Sequence, residues 1–240
     1  MKKILFPIKR TEEDILALSP HLSIRHSKQA RRMALRMDNH KRTMNLVVPE
    51  KMPLDKAWRF AFEHKEWIET KISQIPTPII FEHGTTLPIF GRERMLDISS
   101  STRLKTARLS LERDRLIVPL NEKETAPRIV RFLKKETKKT IEHLALMKAG
   151  KINKSIKSIQ IRDTKSRWGS CGSKGQLSFS WRLIFAPWES LDYVVAHEVA
   201  HLSHLNHGKD FWALCEALSE DYAAGKKWMR NSGLSLMRYG

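Results

Sequence analysis

The stretch His197-Glu198-Val199-Ala200-His201, followed by Asn206-His207-Gly208, carries residue types whose spacing could do chemistry. Leu191, Val194, Val195, Val199 and Leu202 recur at helical spacing, so residues 191–203 read as a helix. Residues four apart share a helix face and lie about 6 Å apart along it. His197 and His201 can therefore converge on one ion. Glu198, roughly 100° further round the helix, can reach a water on that ion without binding the ion itself. Two imidazole ligands beside a carboxylate general base is the logic of the HExxH pattern, with zinc as the expected metal.

The third ligand follows from helix geometry. His204 lies on nearly the same face as His197, but a continuous helix holds it about 10 Å further along the axis. An ion with bonds of about 2 Å cannot reach both. His207 points elsewhere on a continuous helix and becomes available only if the helix stops. Asn206 and Gly208 can provide that stop, because both tolerate the left-handed conformation that ends helices. The expected ligands are His197, His201 and His207, with His204 a bystander or an outer support. Unpartnered His and Glu side chains on a buried helix face are costly unless something satisfies them.

Positioning such a site requires a folded chain, and 240 residues with 41% hydrophobic content suffice for one large or two small domains. No apolar run approaches the ~20 residues of a membrane span. The segment Met1–Pro7 is too short for a signal peptide, since charge resumes at Lys9-Arg10. Two cysteines, Cys171 and Cys215, are too few for a disulfide scaffold, which makes the cytoplasm the expected location. A formal net charge of +18 favours polyanions, so non-specific DNA or RNA association is a candidate partnership alongside a solvated basic surface. The sequence specifies no oligomeric state.

Along the chain, Thr11-Glu12-Glu13-Asp14 resembles a helix start. Met33, Leu35 and Met37 alternate as a strand, Asp38-Asn39-His40 reads as a turn and Met44–Pro49 as the returning strand of a hairpin. Residues 53–75 predict one helix, with Trp58, Phe62 and Ile68 on its core face and Pro76 and Pro78 ending it. Residues 79–120 predict antiparallel strands, with Gly84 and Gly91 in turns and a hairpin from Arg108–Leu111 to Leu116–Val118. A pattern change near Asn121–Glu124 leads into a long helix to Gly150, with Ile129, Val130, Leu133, Ile141, Leu144 and Met147 inward and Lys134, Lys135, Lys138 and Lys139 outward. Ile159–Arg162 reads as a strand, Ser166–Gly175 as a glycine-rich loop and Leu177–Trp181 as a further strand. After Gly208 a helix is expected to about Tyr222, then a break at Gly225 and a short terminal helix carrying Trp228 and Met229.

Several of these pieces together resemble the YgjP-like metallopeptidase family, a relative of the SprT-like zinc proteases. They are Arg167-Trp168-Gly169-Ser170-Cys171, Leu177-Ser178-Phe179, Trp181-Arg182-Leu183, Asp192–Val195, His197–Leu202 and Asn206–Trp212. The likeness is dense from about 155 to 218 and weaker back to Leu87–Gly91 and the basic hairpin near 28. The first 25 residues fit it poorly. Gly172 and Val199 stand where such sequences often have other small or aliphatic residues. The resemblance implies a zincin-type catalytic domain in which His197, His201 and His207 hold Zn2+ and Glu198 is catalytic.

The expected fold is α+β: a β-rich N-terminal region with one helix over 1–122, then a zincin-like part over 123–240 with a small antiparallel sheet and the HExxH helix. The expected reaction is peptide hydrolysis of a protein or peptide substrate, by a zinc-activated water with Glu198 as general base. An oxyanion donor is also wanted, for which Tyr193, one turn before His197, competes with a plain core role. The Trp168–Cys171 loop is placed to line the cleft, and Cys171 as a thiol nucleophile has no identifiable base. Two other functions stay open: a nucleic-acid-associated module with a structural zinc, and a zinc amidohydrolase on a non-peptide amide. A strand edge beside the metal would favour the peptidase.

Overall fold

The structure, a computed structural model, describes residues 10–38, 41–99, 109–120, 124–164 and 167–240. The expectations placed on Met1–Lys9, Asn39-His40, Arg108, Asn121–Lys123 and Ser166 lie outside these residues. The architecture is α+β, with seven α-helices and three small sheets among the described residues. None of these helices is long and apolar enough to cross a membrane. The chain divides into two compact units between Pro76 and Thr77, well before the boundary expected after residue 122. The reason is packing: Leu87, Ile89, Leu96, Leu116 and Val118 share one hydrophobic core with the residues of the HExxH helix.

In the first unit, α1 (Glu12–Leu16) opens with a capping box between Thr11 and Asp14. Strands β1 (Leu22–Ser27), β2 (Ala34–Asp38) and β3 (Thr43–Pro49) form a sheet in the order β1-β3-β2. β2 and β3 make the expected hairpin, and β1 adds a parallel strand that the sequence did not reveal. The single helix expected over 53–75 is instead two, α2 (Leu54–Glu63) and α3 (Lys65–Ser73). At His64 the backbone N–H donates to Ala61 O, three residues back, and the ring Nδ1–H donates to Phe60 O at 2.8 Å. The side chain thus takes the carbonyl that a continuous helix would give to the backbone, and the helix breaks. Ala61 and Ile68 reach the core, while Phe62 is left exposed, contrary to its expected core role, as is Trp67.

In the second unit, β4 (Thr86–Ile89), β5 (Arg92–Ser99), β6 (Ser110–Leu111) and β7 (Arg115–Pro119) are ordered β4-β5-β7-β6. Phe90 and Gly91 both have positive φ, as the tight turn between β4 and β5 requires. The sheet is not wholly antiparallel, because β7 pairs with β5 in parallel. A hairpin pairs only chain neighbours; β7 forms one with β6 and lies between β6 and β5, which it therefore meets in parallel. Helix α4 (Thr125–Lys151) is the expected long helix, burying Ile129, Leu133, Ile141 and Leu144. Met147 turns outward.

The remaining elements frame the site. β8 (Ser158–Arg162), β9 (Gly169–Cys171) and β10 (Gln176–Ser180) are ordered β8-β10-β9. β8 runs parallel to β10 and β9 antiparallel, so the small sheet is mixed rather than antiparallel. Part of the expected glycine-rich loop is therefore strand β9. Trp181 leaves the sheet into a 3₁₀ turn, where the Ser180 side chain accepts from Arg182 N–H. Helices α5 (Trp188–Ala200), α6 (Lys209–Leu218) and α7 (Tyr222–Ser232) follow. Gly225 does not break a helix but lies buried inside α7. A Cβ there would stand 2.4 Å from Glu189 O and 2.6 Å from Tyr193 Cβ, so glycine is what lets α7 approach α5 this closely.

Candidate metal centre

Helix α5 is buried on nearly every face, as its continuous apolar composition demands. Its register is held by Asp192, fully buried one turn and a half before His197. Lys148 of α4 lies 2.5 Å from Asp192 Oδ1 and donates to Leu218 O at the end of α6. Glu220 N–H donates to Asp192 Oδ2 at 2.8 Å. One buried ion pair thereby ties α4, α5 and the α6–α7 connection together.

The helix ends at Ala200, and His201 is its C-cap. The stop does not use the left-handed conformation expected at Asn206 and Gly208: Gly208 has φ −78°, and Asn206 is not among the positive-φ residues. Instead the last turn tightens, with Leu202 N–H donating to Val199 O and Ser203 N–H to Ala200 O, three residues back. His201 Nδ1–H donates to His204 O at 3.0 Å, which aims the opposite ring nitrogen of His201 away from the chain. His204 thus contributes its carbonyl and not its side chain.

His197, His201 and His207 converge, each offering one ring nitrogen, with these atoms all within 4.8 Å of one another. The Nε2 atoms of His197 and His207 are 3.1 Å apart. Two nitrogens on a tetrahedral zinc with bonds of 2.0–2.1 Å would lie ~3.3 Å apart, so this pair is already near ligand spacing. Phe211 of α6 is the fully buried floor under all three rings, at 4.9, 4.5 and 4.6 Å between centroids. Burial, reinforced by the neighbouring His201, His207 and Lys226 charges, lowers the His197 pKa to about 4. Burial also lowers that of His201. Both imidazoles are neutral at pH 7, with lone pairs available to a metal. His197 Nδ1 is buried without a hydrogen-bond partner. The donor set fits a divalent ion that accepts imidazole nitrogen.

Glu198 is 5% exposed. Burial raises its pKa to about 7, against the opposing charge of Arg167. Its side chain lies against Gly169 at the start of β9: a Cβ there would stand 2.5 Å from Glu198 Cγ and Oε1. The glycine is therefore the space in which the carboxylate sits. Gly169, Ser170 and Cys171 line a cavity of about 370 Å³ together with the three histidines, as expected of that loop. A second cavity of about 380 Å³ touches Glu198 from the α7 side. Tyr193 both packs at 9% exposure and lines this second cavity, and burial raises its phenol to about 12, so it keeps its O–H. Burial and the Glu198 charge raise the Cys171 thiol, which argues against a thiolate nucleophile.

Sequence reasoning missed Asp192–Lys148, the Gly169 cradle, the Phe211 floor and the α7 side chains Lys226, Met229 and Arg230. The last three carried a local signal, since residues 226, 229 and 230 share one helix face. Nothing local says what that face meets.

The family model described as "YgjP-like, metallopeptidase domain" matches residues 31–232 of this chain. The chain belongs to that family, whose name implies a metal and protein or peptide substrates. The match begins within the first compact unit and leaves the first thirty residues outside it. No curated protein and no solved structure matches the chain.

Proposed function

We propose that this member of the YgjP-like metallopeptidase family is a zinc-dependent peptidase, with His197, His201 and His207 as metal ligands and Glu198 as general base. The observation that carries the reading is the convergence of three imidazoles beside a buried carboxylate whose pKa is raised to about 7. Zinc held by His197, His201 and His207 would supply an acidified water and a Lewis acid for the scissile carbonyl. Glu198 takes the proton of the attacking water and hands it to the leaving amine, for which a pKa near the working pH is well matched. Phe211 and the His204 carbonyl keep the imidazoles in place. Tyr193, a protonated phenol facing the cavity beside Glu198, is available as a donor to the developing oxyanion. The catalytic part, expected over 123–240, takes in the whole second unit, because strands β4, β5 and β7 complete its core, while the family match reaches back to residue 31.

Two features favour peptide hydrolysis over the other two readings. The cluster offers three candidate ligands among the described residues, the catalytic number, where structural zinc has four. And β9 is an edge strand among the described residues. Gly172 N–H donates to Gln176 O, and Trp168 O accepts from Ser180 N–H, so residues 168 and 172 face β10. By antiparallel alternation Gly169 and Cys171 turn their N–H and C=O to the free edge, where an extended peptide can add as a strand.

The test is zinc content and hydrolysis on the same samples. Elemental analysis after reconstitution should give about one zinc per chain. His207→Ala should lose it and His204→Ala keep it. Glu198→Gln should keep zinc and fold while losing ~10²-fold or more of hydrolysis of a flexible protein substrate. A zinc-free wild type sinks the site, and a fully active Glu198→Gln sinks the mechanism.

A further inference from the structure

The cavity on the α7 side of Glu198 shares Gly169, His197 and Glu198 with the histidine side and also meets Tyr193, but the rest of its lining differs. Its walls are Trp168, Val194 and Met229, and its rim carries Lys226 and Arg230. Among its lining residues the sole carboxylate is Glu198, already assigned to the proton transfer. Lys226 is fixed without being neutralised. Its Nζ lies 4.2 Å from the centroid of the Trp212 ring and 4.8 Å from that of Tyr222, and it donates to Tyr222 Oη at 2.6 Å. Aromatic faces and a phenol oxygen hold a cation in place but leave its charge unspent. Arg230 has only the side chain of Asn231, at 3.4 Å, as a described partner. Two cations four residues apart on one helix thus look over an apolar wall into a cavity of about 380 Å³.

The edge-strand argument says which part of a substrate lies there. β9 runs from Gly169 to Cys171, and the cavity sits at its Trp168–Gly169 end. A peptide adding antiparallel to β9 runs the other way, so its C-terminal half points towards Trp168. The cavity therefore receives the side chain that follows the scissile bond. We infer that this cavity is a specificity pocket for an anionic residue directly after the scissile bond, with Lys226 and Arg230 as its charge readers. This rests on the peptidase reading above and names its substrate class: acidic polypeptide segments. A long carboxylate such as Glu suits it best, with its methylenes against Met229 and Trp168 and its carboxylate at the rim. A Lys side chain is repelled there. The net charge of +18 then acts in the same direction, drawing acidic substrates to the protein over distance.

The experiment uses the zinc-loaded full chain and a set of fluorogenic peptides, identical except for Glu, Gln, Leu or Lys after the scissile bond, with cleavage points mapped by mass spectrometry. Binding of the same peptides, dye-labelled, to zinc-loaded Glu198→Gln is read in parallel by fluorescence anisotropy. Glu should exceed the isosteric Gln by on the order of fivefold in kcat/KM and in affinity, as a partly solvated ion pair allows. Lys226→Glu should move the preference towards Lys, a swing of roughly tenfold or more between the Glu and Lys peptides. Arg230→Glu should move it in the same direction, which guards against a fold defect peculiar to one substitution. Equal binding and cleavage of Glu and Gln peptides overturns the inference and leaves the peptidase reading standing. A Leu peptide that outruns Glu and ignores both charge reversals does the same, and shows a purely apolar pocket. A Lys226→Glu loss that is uniform across all four peptides also overturns it, since Lys226 would then act on the reaction and not on the side chain. Preferential binding of the Glu peptide with no cleavage by wild type upholds Lys226 and Arg230 as readers of an anionic side chain but overturns the peptidase reading, and with it the placement after a scissile bond.

Discussion

The two compact units bury different kinds of side chain. Up to Pro76 the described core is apolar, built on Ile15, Leu46, Val48, Ile68 and Ile72, with Ser19 its sole buried polar residue. From Thr77 onward Arg94, Thr137, Lys148, Arg182, Asp192 and Glu198 are all buried. Dehydrating such groups is unfavourable unless partners replace the water. Arg94, Lys148, Arg182 and Asp192 have those partners. No hydrogen bond or ion pair reaches the Glu198 carboxylate among the described residues, and burial raises its pKa against the opposing charge of Arg167. The contrast separates two settings of buried charge within one unit: Asp192 meets Lys148 and Glu220 N–H, and Glu198 has no such partner among the described residues.

That contrast can be broken at its strongest point. Asp192→Ala strands Lys148 in the core and should destabilise the second unit by about 3–5 kcal/mol, read by chemical denaturation. The double replacement Asp192→Leu with Lys148→Met should recover most of the loss, because an apolar pair needs no water replaced. A single variant as stable as wild type would show that the pair does not hold α5.

A pH titration of metal-free protein sharpens the other half. Glu198 has its pKa raised from 4.5 to about 7, so the folded state holds the proton more tightly and stability falls as pH rises from about 4.5 to 7. His197 has its pKa lowered from 6.5 to about 4, so the unfolded state holds the proton more tightly and stability rises from about pH 4 to 6.5. Each window is worth at most roughly 3 kcal/mol, and in the wild type the two largely cancel. Glu198→Gln removes the falling component. Metal-free Glu198→Gln should therefore gain stability between pH 4 and 6.5 where the wild type is nearly flat. Parallel curves for the two proteins would mean that Glu198 titrates normally. At the small end, Glu50→Ala in the first unit removes an exposed contact to Lys28 at 4.0 Å and should change stability by less than about 0.5 kcal/mol.

Much of this was legible in the sequence because it is local. Helical periodicity and caps located α4 within a residue or two, and the Thr11 cap and the hairpin of β2 and β3 likewise. Helix pitch set the His204 ring aside, and a helix stop expected at Asn206 and Gly208 brought the His207 ring beside His197 and His201, which is where the structure has it. Even there the stop works differently from its expected form, by a tightened turn and a His201–His204 bond. The break at His64 was missed because one side-chain hydrogen bond, invisible to periodicity, decides it.

What the sequence determined by itself is the set of groups and their spacing along each helix, because a helix of 3.6 residues per turn converts spacing into direction without outside help. Tertiary structure alone decided which of those groups meet. It placed β7 parallel to β5, made Gly169–Cys171 a free edge, brought α7 onto α5 through Gly225, and closed Lys148 onto Asp192. Each of these joins residues far apart in the chain. Their proximity depends on how whole apolar faces pack, and no window of neighbouring residues contains that information.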